Sequence, residues 1–129
     1  RMKGNFKKNS PEKYYANTIG VRICRSARRR NIPCLQPFEI RDWFLEQDDH
    51  CDYCGSTLDE VKKYYKSLGM YFVDRRLQID RKDNKKGYTY DNMTICCRIC
   101  NNHKSNFFTY EEFKIVAQKY IKKEIDKFK

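Results

Sequence analysis

Two cysteine pairs, Cys51/Cys54 and Cys97/Cys100, each with two residues between, are the strongest chemical signal in this 129-residue chain. A CxxC turn aims two thiolates at one ion, and two such turns complete the tetrahedral set that Zn²⁺ prefers. Four thiolates leave no open position for water, so the expected site is structural. It would tie the segment ahead of the first strand to a helix that follows the second. Cys96 competes with Cys97, but only the pairing 97 with 100 keeps the two-residue gap. Cys24 and Cys34 are left over; two cysteines are too few for a second zinc site, and they read as buried thiols.

A second chemistry would use oxygen. Asp80 closes a short alternating run (Leu77, Ile79), and a charged loop containing Gly87 follows it. A β-prone run, Met93 to Cys97, leads into a helical segment opened by Cys97-x-x-Cys100, which puts Asn101 on the first helical turn. Strand, long loop, strand, helix is the order that period-2 alternation and turn residues predict. That order lets a carboxylate at Asp80 and an amide oxygen at Asn101 meet one hard divalent cation, Mg²⁺ or Mn²⁺. The plainer roles are a turn acid for Asp80 and an N-cap for Asn101.

The positioning elements can be read along the chain. Ser10-Pro11 signals a helix start, with the helix running to about Arg30 and burying Tyr15, Ile19, Ile23 and Ala27. Arg22, Arg25, Arg28, Arg29 and Arg30 crowd its second half, more cations than a helix C-terminus needs, and are expected to contact phosphates. Asn31-Ile32-Pro33 ends that helix. Gln36-Pro37 opens another, whose Phe38, Ile40, Trp43, Phe44 and Leu45 are read as core. His50 to Gly55 forms the first zinc turn, with Gly55 at positive φ. Thr57 to Glu60 is a capping box for a helix bearing Val61, Tyr64, Tyr65 and Leu68, stopped at Gly69. The first core strand is expected over about Met70 to Asp80. Thr109 to Glu112 is a second capping box, starting a terminal helix with Phe113, Val116, Ala117, Tyr120, Ile121 and Phe128 on one face. Lys119, Lys122, Lys123 and Lys127 lie off that face as solvated surface.

Composition narrows the partners. The net charge is +11, from 28 Lys and Arg against 17 Asp and Glu, which suits a polyanion. Mean hydropathy is −0.96, yet 15% aromatic residues argue against disorder. No apolar run approaches the roughly 20 residues of a membrane span, and no secretory signal is seen at the start. Seven cysteines, an odd number with two CxxC pairs, fit a metal site in a reducing compartment better than disulfides. An intracellular protein, cytoplasmic or nucleoid-associated, is expected.

Over about residues 50 to 113 the chain resembles the ββα-metal core of HNH endonucleases. Asp80, Asn92 and Asn101 with the two Cys pairs carry the resemblance, and the stretch DRKDNKKGY through CNNHKSN is similar to a subgroup with Asp-Arg in place of Asp-His. The resemblance implies an α+β fold: a small ββα-metal (HNH) core stabilised by a four-cysteine zinc site, flanked by N-terminal and C-terminal helices. One structural domain is expected, with a basic helical part (1–49) packed on a zinc-bound nuclease core (50–129).

The resemblance also implies roles. Asp80 and Asn101 would hold Mg²⁺ or Mn²⁺, and Asn92 would hold the loop and orient the general base. Gly87 and Tyr88 would shape that loop, and Asp83 would brace Arg81 or a nearby lysine. Arg81 stands where most of the family has the histidine that activates water. A guanidinium stays protonated, so Arg81 is expected to grip the scissile phosphate instead. Tyr53, between two zinc cysteines, is the first candidate to activate or replace the water, with His50 and His103 as alternatives. Its plainer reading is an aromatic packed over the knuckle. Lys85, Lys86 and Lys104 are expected at phosphates.

The function expected is a metal-dependent endonuclease hydrolysing phosphodiesters in double-stranded DNA, restriction-like or homing-like, and a homodimer if its site is a palindrome. One rival is a non-catalytic zinc-stabilised module that binds DNA or RNA, favoured by Arg81. The other is a nuclease subunit of a larger defence or recombination assembly.

Overall fold

The computed structural model of the chain describes residues 11–71 and 74–128. Ser10, the expected first cap, lies outside them. The described residues fall into two compact units: those up to Asp48 with Asp83–Met93, and those from Asp49 to Lys82 with those from Thr94 onward.

In the first unit, helix α1 (Pro11–Arg29) packs on α2 (Pro37–Leu45). Ala16, Ile19 and Ala27 are buried along α1, with Tyr15 and Ile23 half-buried beside them. The helix ends where Asn31 turns to φ 53° and the Ile32 N–H reaches back to Ala27 O at 2.8 Å. Asparagine tolerates this left-handed conformation better than most residues. Along α2, Ile40, Phe44 and Leu45 are buried, but Phe38 is 56% exposed and Trp43 half-buried. The expectation of a core Phe38 is corrected: two residues before Ile40 lies on the opposite side of a helix. Arg22, Arg25, Arg28, Arg29 and Arg30 are all exposed.

The loop 83–92 belongs to this unit. Tyr88 bridges to Cys34, its N–H donating to Pro33 O at 2.9 Å and its carbonyl accepting from Leu35 N at 3.0 Å. Gly87 makes that approach feasible: a Cβ there would lie 2.1 Å from Pro33 O.

The second unit is built on the cysteine turn. The Gly55 N–H bonds to Cys51 O at 2.8 Å, Gly55 sits at φ 79°, and the Cys51 N–H bonds to Ser56 O at 2.8 Å. A residue with a Cβ is strained at that φ. Thr57 caps α3 (Leu58–Ser67), its hydroxyl accepting from Glu60 N at 3.2 Å while Glu60 Oε1 accepts from Thr57 N at 2.9 Å. Strand β1 (Gln78–Arg81) pairs with β2 (Met93–Cys96) in a two-stranded antiparallel sheet, and α4 (Arg98–Lys104) follows. Strand β1 is much shorter than the expected run from Met70. Its length is set by β2, which has four residues, and the described residues before Gln78 have no strand to pair with. All four residues of β2 are buried.

Thr109 caps the last helical segment with the expected reciprocal bonds, Glu112 N to Thr109 Oγ1 at 3.1 Å and Thr109 N to Glu112 Oε1 at 3.0 Å. This segment is not one regular helix. After α5 (Tyr110–Val116) comes a π turn (Ala117–Ile121), then α6 (Lys122–Asp126), with the Lys122 N–H reaching back five residues to Ala117 O. The buried positions are Phe113, Ala117 and Ile125, while Tyr120 is 60% exposed. In a regular α-helix Ile125 would be rotated roughly 120° from Phe113. The extra residue in the π turn brings it back, so the expected stripe through Tyr120 is replaced by one through Ile125. Helix α6 packs on α3, where Val61 is buried and the Tyr64 and Phe128 rings meet edge to face. No helix among the described residues is long and apolar enough to cross a membrane.

Candidate active site

Cys51, Cys54, Cys97 and Cys100 are buried, with their sulfurs all within 4.8 Å of one another. Cys97 is the N-cap of α4, its Sγ accepting from the Cys100 N–H, and Cys51 Sγ likewise accepts from the Cys54 N–H, each at 3.5 Å. Backbone donors aimed at sulfur suit thiolates. Four thiols this close cannot all ionise unaided: hydrogen bonds from Cys100, Cys51 and Cys97 lower the Cys54 thiol, and those with Cys51 and Cys54 raise Cys100. A central cation would remove that conflict, and the donor set fits tetrahedral Zn²⁺. Cys96 is buried outside the cluster, and burial first, then the Asp80 carboxylate, pushes its thiol well up.

The same turn delivers Tyr53. Its side chain is fully buried, with the ring edge-on to Phe113 at 5.3 Å and tilted against Tyr110 at 5.4 Å. Its carbonyl accepts from Gln118 Nε2 at 2.7 Å. Its hydroxyl donates to Asp80 Oδ2 at 2.7 Å. Burial, and then the Asp80 charge, push the phenol well above the ordinary tyrosine range. The hydroxyl therefore rests as a proton donor to Asp80.

Asp80 Oδ2 also receives Lys104. The ammonium lies 3.1 Å from that oxygen and 3.0 Å from Arg81 O, and the side chain is only 1% exposed. The expectation that Lys104 reaches a phosphate is corrected. From the last turn of α4 it points inward, where the largely enclosed Asp80 carboxylate and a strand-end carbonyl satisfy it; an unpaired ammonium could not be buried there. Charge alone gave no sign of this. The signal available was its i+4 position from Cys100, which shares the buried face of a short helix.

Asn101 is fixed through its amide nitrogen, which donates to Gln78 Oε1 at 2.7 Å. Gln78 Nε2 donates in turn to Asp74 Oδ2 at 3.4 Å, and Asp74 pairs with Arg98 through two hydrogen bonds. Arg81, half-buried, ends β1 next to Asp80. His50 and His103 are both exposed, and His103 Nδ1 is 2.8 Å from Ile99 O of its own helix.

Asp52, beside Tyr53, fastens the cysteine turn. Its backbone N–H donates to Ile95 O at 2.9 Å, and its Oδ2 accepts from Thr94 Oγ1 at 2.7 Å and Tyr110 Oη at 2.5 Å. Burial alone would raise this carboxyl; hydrogen bonds from Tyr110 and Thr94, with the Lys114 charge, outweigh it and hold it below its usual value.

Asn92 sits in the other unit and is buried. Its Oδ1 accepts from Asp83 N at 3.0 Å, and its Nδ2 donates to Asp83 O at 3.0 Å and Gly87 O at 2.9 Å. All three bonds go to the backbone of the loop 83–92. Asp83 itself is exposed and accepts from Lys85 N at 2.9 Å. Lys85 and Lys86 are exposed.

No protein-family profile matches the sequence, and no curated protein matches it. Among solved structures the chain superposes on the rare-cutting HNH restriction endonuclease PacI, with a TM-score of 0.70, covering 91% of this chain and 89% of that one. The fold is that of an HNH endonuclease. Sequence identity across the HNH fold is 22%, so the likeness is one of architecture. The sheet, α4 and the four-cysteine cluster described above agree with that HNH core.

Proposed function

We propose that the chain is a metal-dependent HNH endonuclease that hydrolyses phosphodiester bonds in double-stranded DNA. The observation that carries this reading is the hydrogen bond from Tyr53 to Asp80 within an HNH fold: it joins the residue expected to supply the nucleophile to the residue expected to hold the metal. A Mg²⁺ or Mn²⁺ ion on Asp80 and Asn101 would stabilise the charge that develops on the phosphoryl group and the leaving oxygen.

The chain's own residues do the rest. The Tyr53 hydroxyl is already held against Asp80 by a hydrogen bond. Arg81 and a cation bound at Asp80 would favour its phenolate, the proton passing to solvent, and that oxygen would attack or take a proton from water. Lys104 fixes the Asp80 carboxylate against rotation. Arg81, always charged, pairs with the phosphate. Arg22, Arg25, Arg28, Arg29, Arg30, Lys85 and Lys86 are exposed cations suited to the DNA backbone. Site-specific cutting of a palindrome would use a homodimer.

A second reading is a zinc-stabilised DNA-binding module that does not cut. The buried Lys104 ammonium favours it, because it already neutralises Asp80. Incubation of supercoiled plasmid with Mg²⁺, Mn²⁺ or a chelator, for the parent and Asp80→Ala, separates the two. Nicked or linear product that needs the divalent ion and disappears with Asp80→Ala supports the nuclease. Plasmid bound but uncut supports the binding module.

A further inference from the structure

Cys24 and Cys34 stand apart from the zinc cluster, in the unit of α1 and α2. Their sulfurs are 3.4 Å apart, both side chains are partly exposed, and both thiols are free. Cys24 Sγ donates to Leu35 O at 3.1 Å, which leaves the Cys34 proton to bridge the two sulfurs. The pair opens on a cavity of about 200 Å³ that is also lined by Arg28, Ile32, Gln36 and Pro37. Among the described residues, the four zinc cysteines are the one group of three or more metal-type side chains, so this pair lacks the further such ligands zinc would need.

We propose that Cys24 and Cys34 form a redox-active dithiol, closing to an intramolecular disulfide on mild oxidation. The sulfurs need to approach by roughly 1.4 Å to reach bonding distance. With hydrogen peroxide as oxidant, the Cys24 thiolate attacks one peroxide oxygen and releases hydroxide, giving a sulfenic acid. Cys34 sulfur then displaces that oxygen as water. In sum, two thiols and one peroxide give one disulfide and two waters. The order of the two cysteines follows from their surroundings. Arg28, one turn along α1 from Cys24, places a cation on the same cavity, where it would balance the charge of an attacking sulfur. Burial, then the Cys24 sulfur, push the Cys34 thiol up to about 12, which suits it to resolve and not to attack.

The disulfide would act on more than the two cysteines. Pro33 and Leu35, on either side of Cys34, carry the bridge to Tyr88, and so fix the loop that Asn92 organises. Oxidation would staple that bridge to α1. This proposal does not depend on the nuclease reading.

The test uses the zinc-loaded chain, about one equivalent of hydrogen peroxide, alkylation of remaining thiols and tryptic mapping without reductant. Trypsin cuts between the two cysteines at Arg25, Arg28, Arg29 and Arg30, so only a disulfide would hold peptides 23–25 and 31–41 together. The expected result is that linked pair, monomeric on a non-reducing gel, lost on adding dithiothreitol, with zinc retained. The Leu35 and Tyr88 amides should then exchange about tenfold or more slowly. Cys24→Ser and Cys34→Ser are expected to fold, since serine differs little in size and both sites are partly open. Glutathione disulfide should leave a stable mixed disulfide on Cys24 of the Cys34→Ser variant but not on the parent. Alkylation of both cysteines after peroxide, separate oxidation to sulfinic acids, or a mixed disulfide that persists on the parent would each overturn the proposal.

Discussion

Tyr53 donates its phenolic proton to Oδ2 of Asp80 at 2.7 Å, from a position with no solvent exposure. Tyr53→Phe removes the hydroxyl and keeps the ring that packs on Tyr110 and Phe113. We expect a folded protein, destabilised by about 1 kcal/mol for the lost hydrogen bond. Under the nuclease reading, plasmid cleavage should fall about 10³-fold while gel-shift affinity for DNA stays. Cleavage at the parent rate would move the activating role to His50 or His103.

Lys104 and Asp80 form an enclosed ion pair, with side chains 1% and 11% exposed. Lys104→Met leaves the carboxylate without its cation and should cost about 3 kcal/mol in urea unfolding. Adding Asp80→Asn should recover part of that loss. A double-mutant cycle in which the two costs simply add would show that the pair contributes no coupling.

The four-cysteine cluster fastens the turn that carries Asp52 and Tyr53, so metal removal should be felt by the whole second unit. A strong chelator is expected to release about one zinc per chain and to reduce the helical circular dichroism, with recovery on adding zinc back. Full retention of structure after complete metal release would count against a structural role.

Cys34 gives a pH dependence. Its folded thiol is raised to about 12, above its value in the unfolded chain, so the neutral form is favoured by folding. The contribution is complete below the unfolded pKa, about 8.5, and fades as pH rises toward about 12. Under reducing conditions the parent should lose stability over that window, and Cys34→Ser should lose less. Parallel curves for the two proteins would exclude a contribution from this thiol.

Much of the fold was legible because its signals are local. The capping boxes at Thr57 and Thr109, the CxxC turns, the positive φ at Gly55 and the helix end at Asn31 each depend on a few neighbouring residues, and the structure contains all of them. Features that depend on distant partners were not legible. Lys104 reads as a surface cation until Asp80 and the Arg81 carbonyl are folded against it. Among the described residues before Gln78 no strand forms, because β2 has only four residues to pair with. The bridge between Cys34 and Tyr88 joins residues far apart in the chain, and only the glycine at 87 hinted at a close approach.

The π turn at Ala117–Ile121 has an evolutionary consequence. It accommodates one residue more than a regular helix would, and Ile125 meets Phe113 and Ala117 on one face only because of it. A chain shortened by one residue in that turn could run on as ordinary helix, with the isoleucine still within about 20° of the Phe113 direction. A chain lengthened by one would swing it off the core by about 100°. The segment should therefore tolerate a loss of length far more readily than a gain. In any relative that lacks the turn, every position after Ile121 would be offset by one.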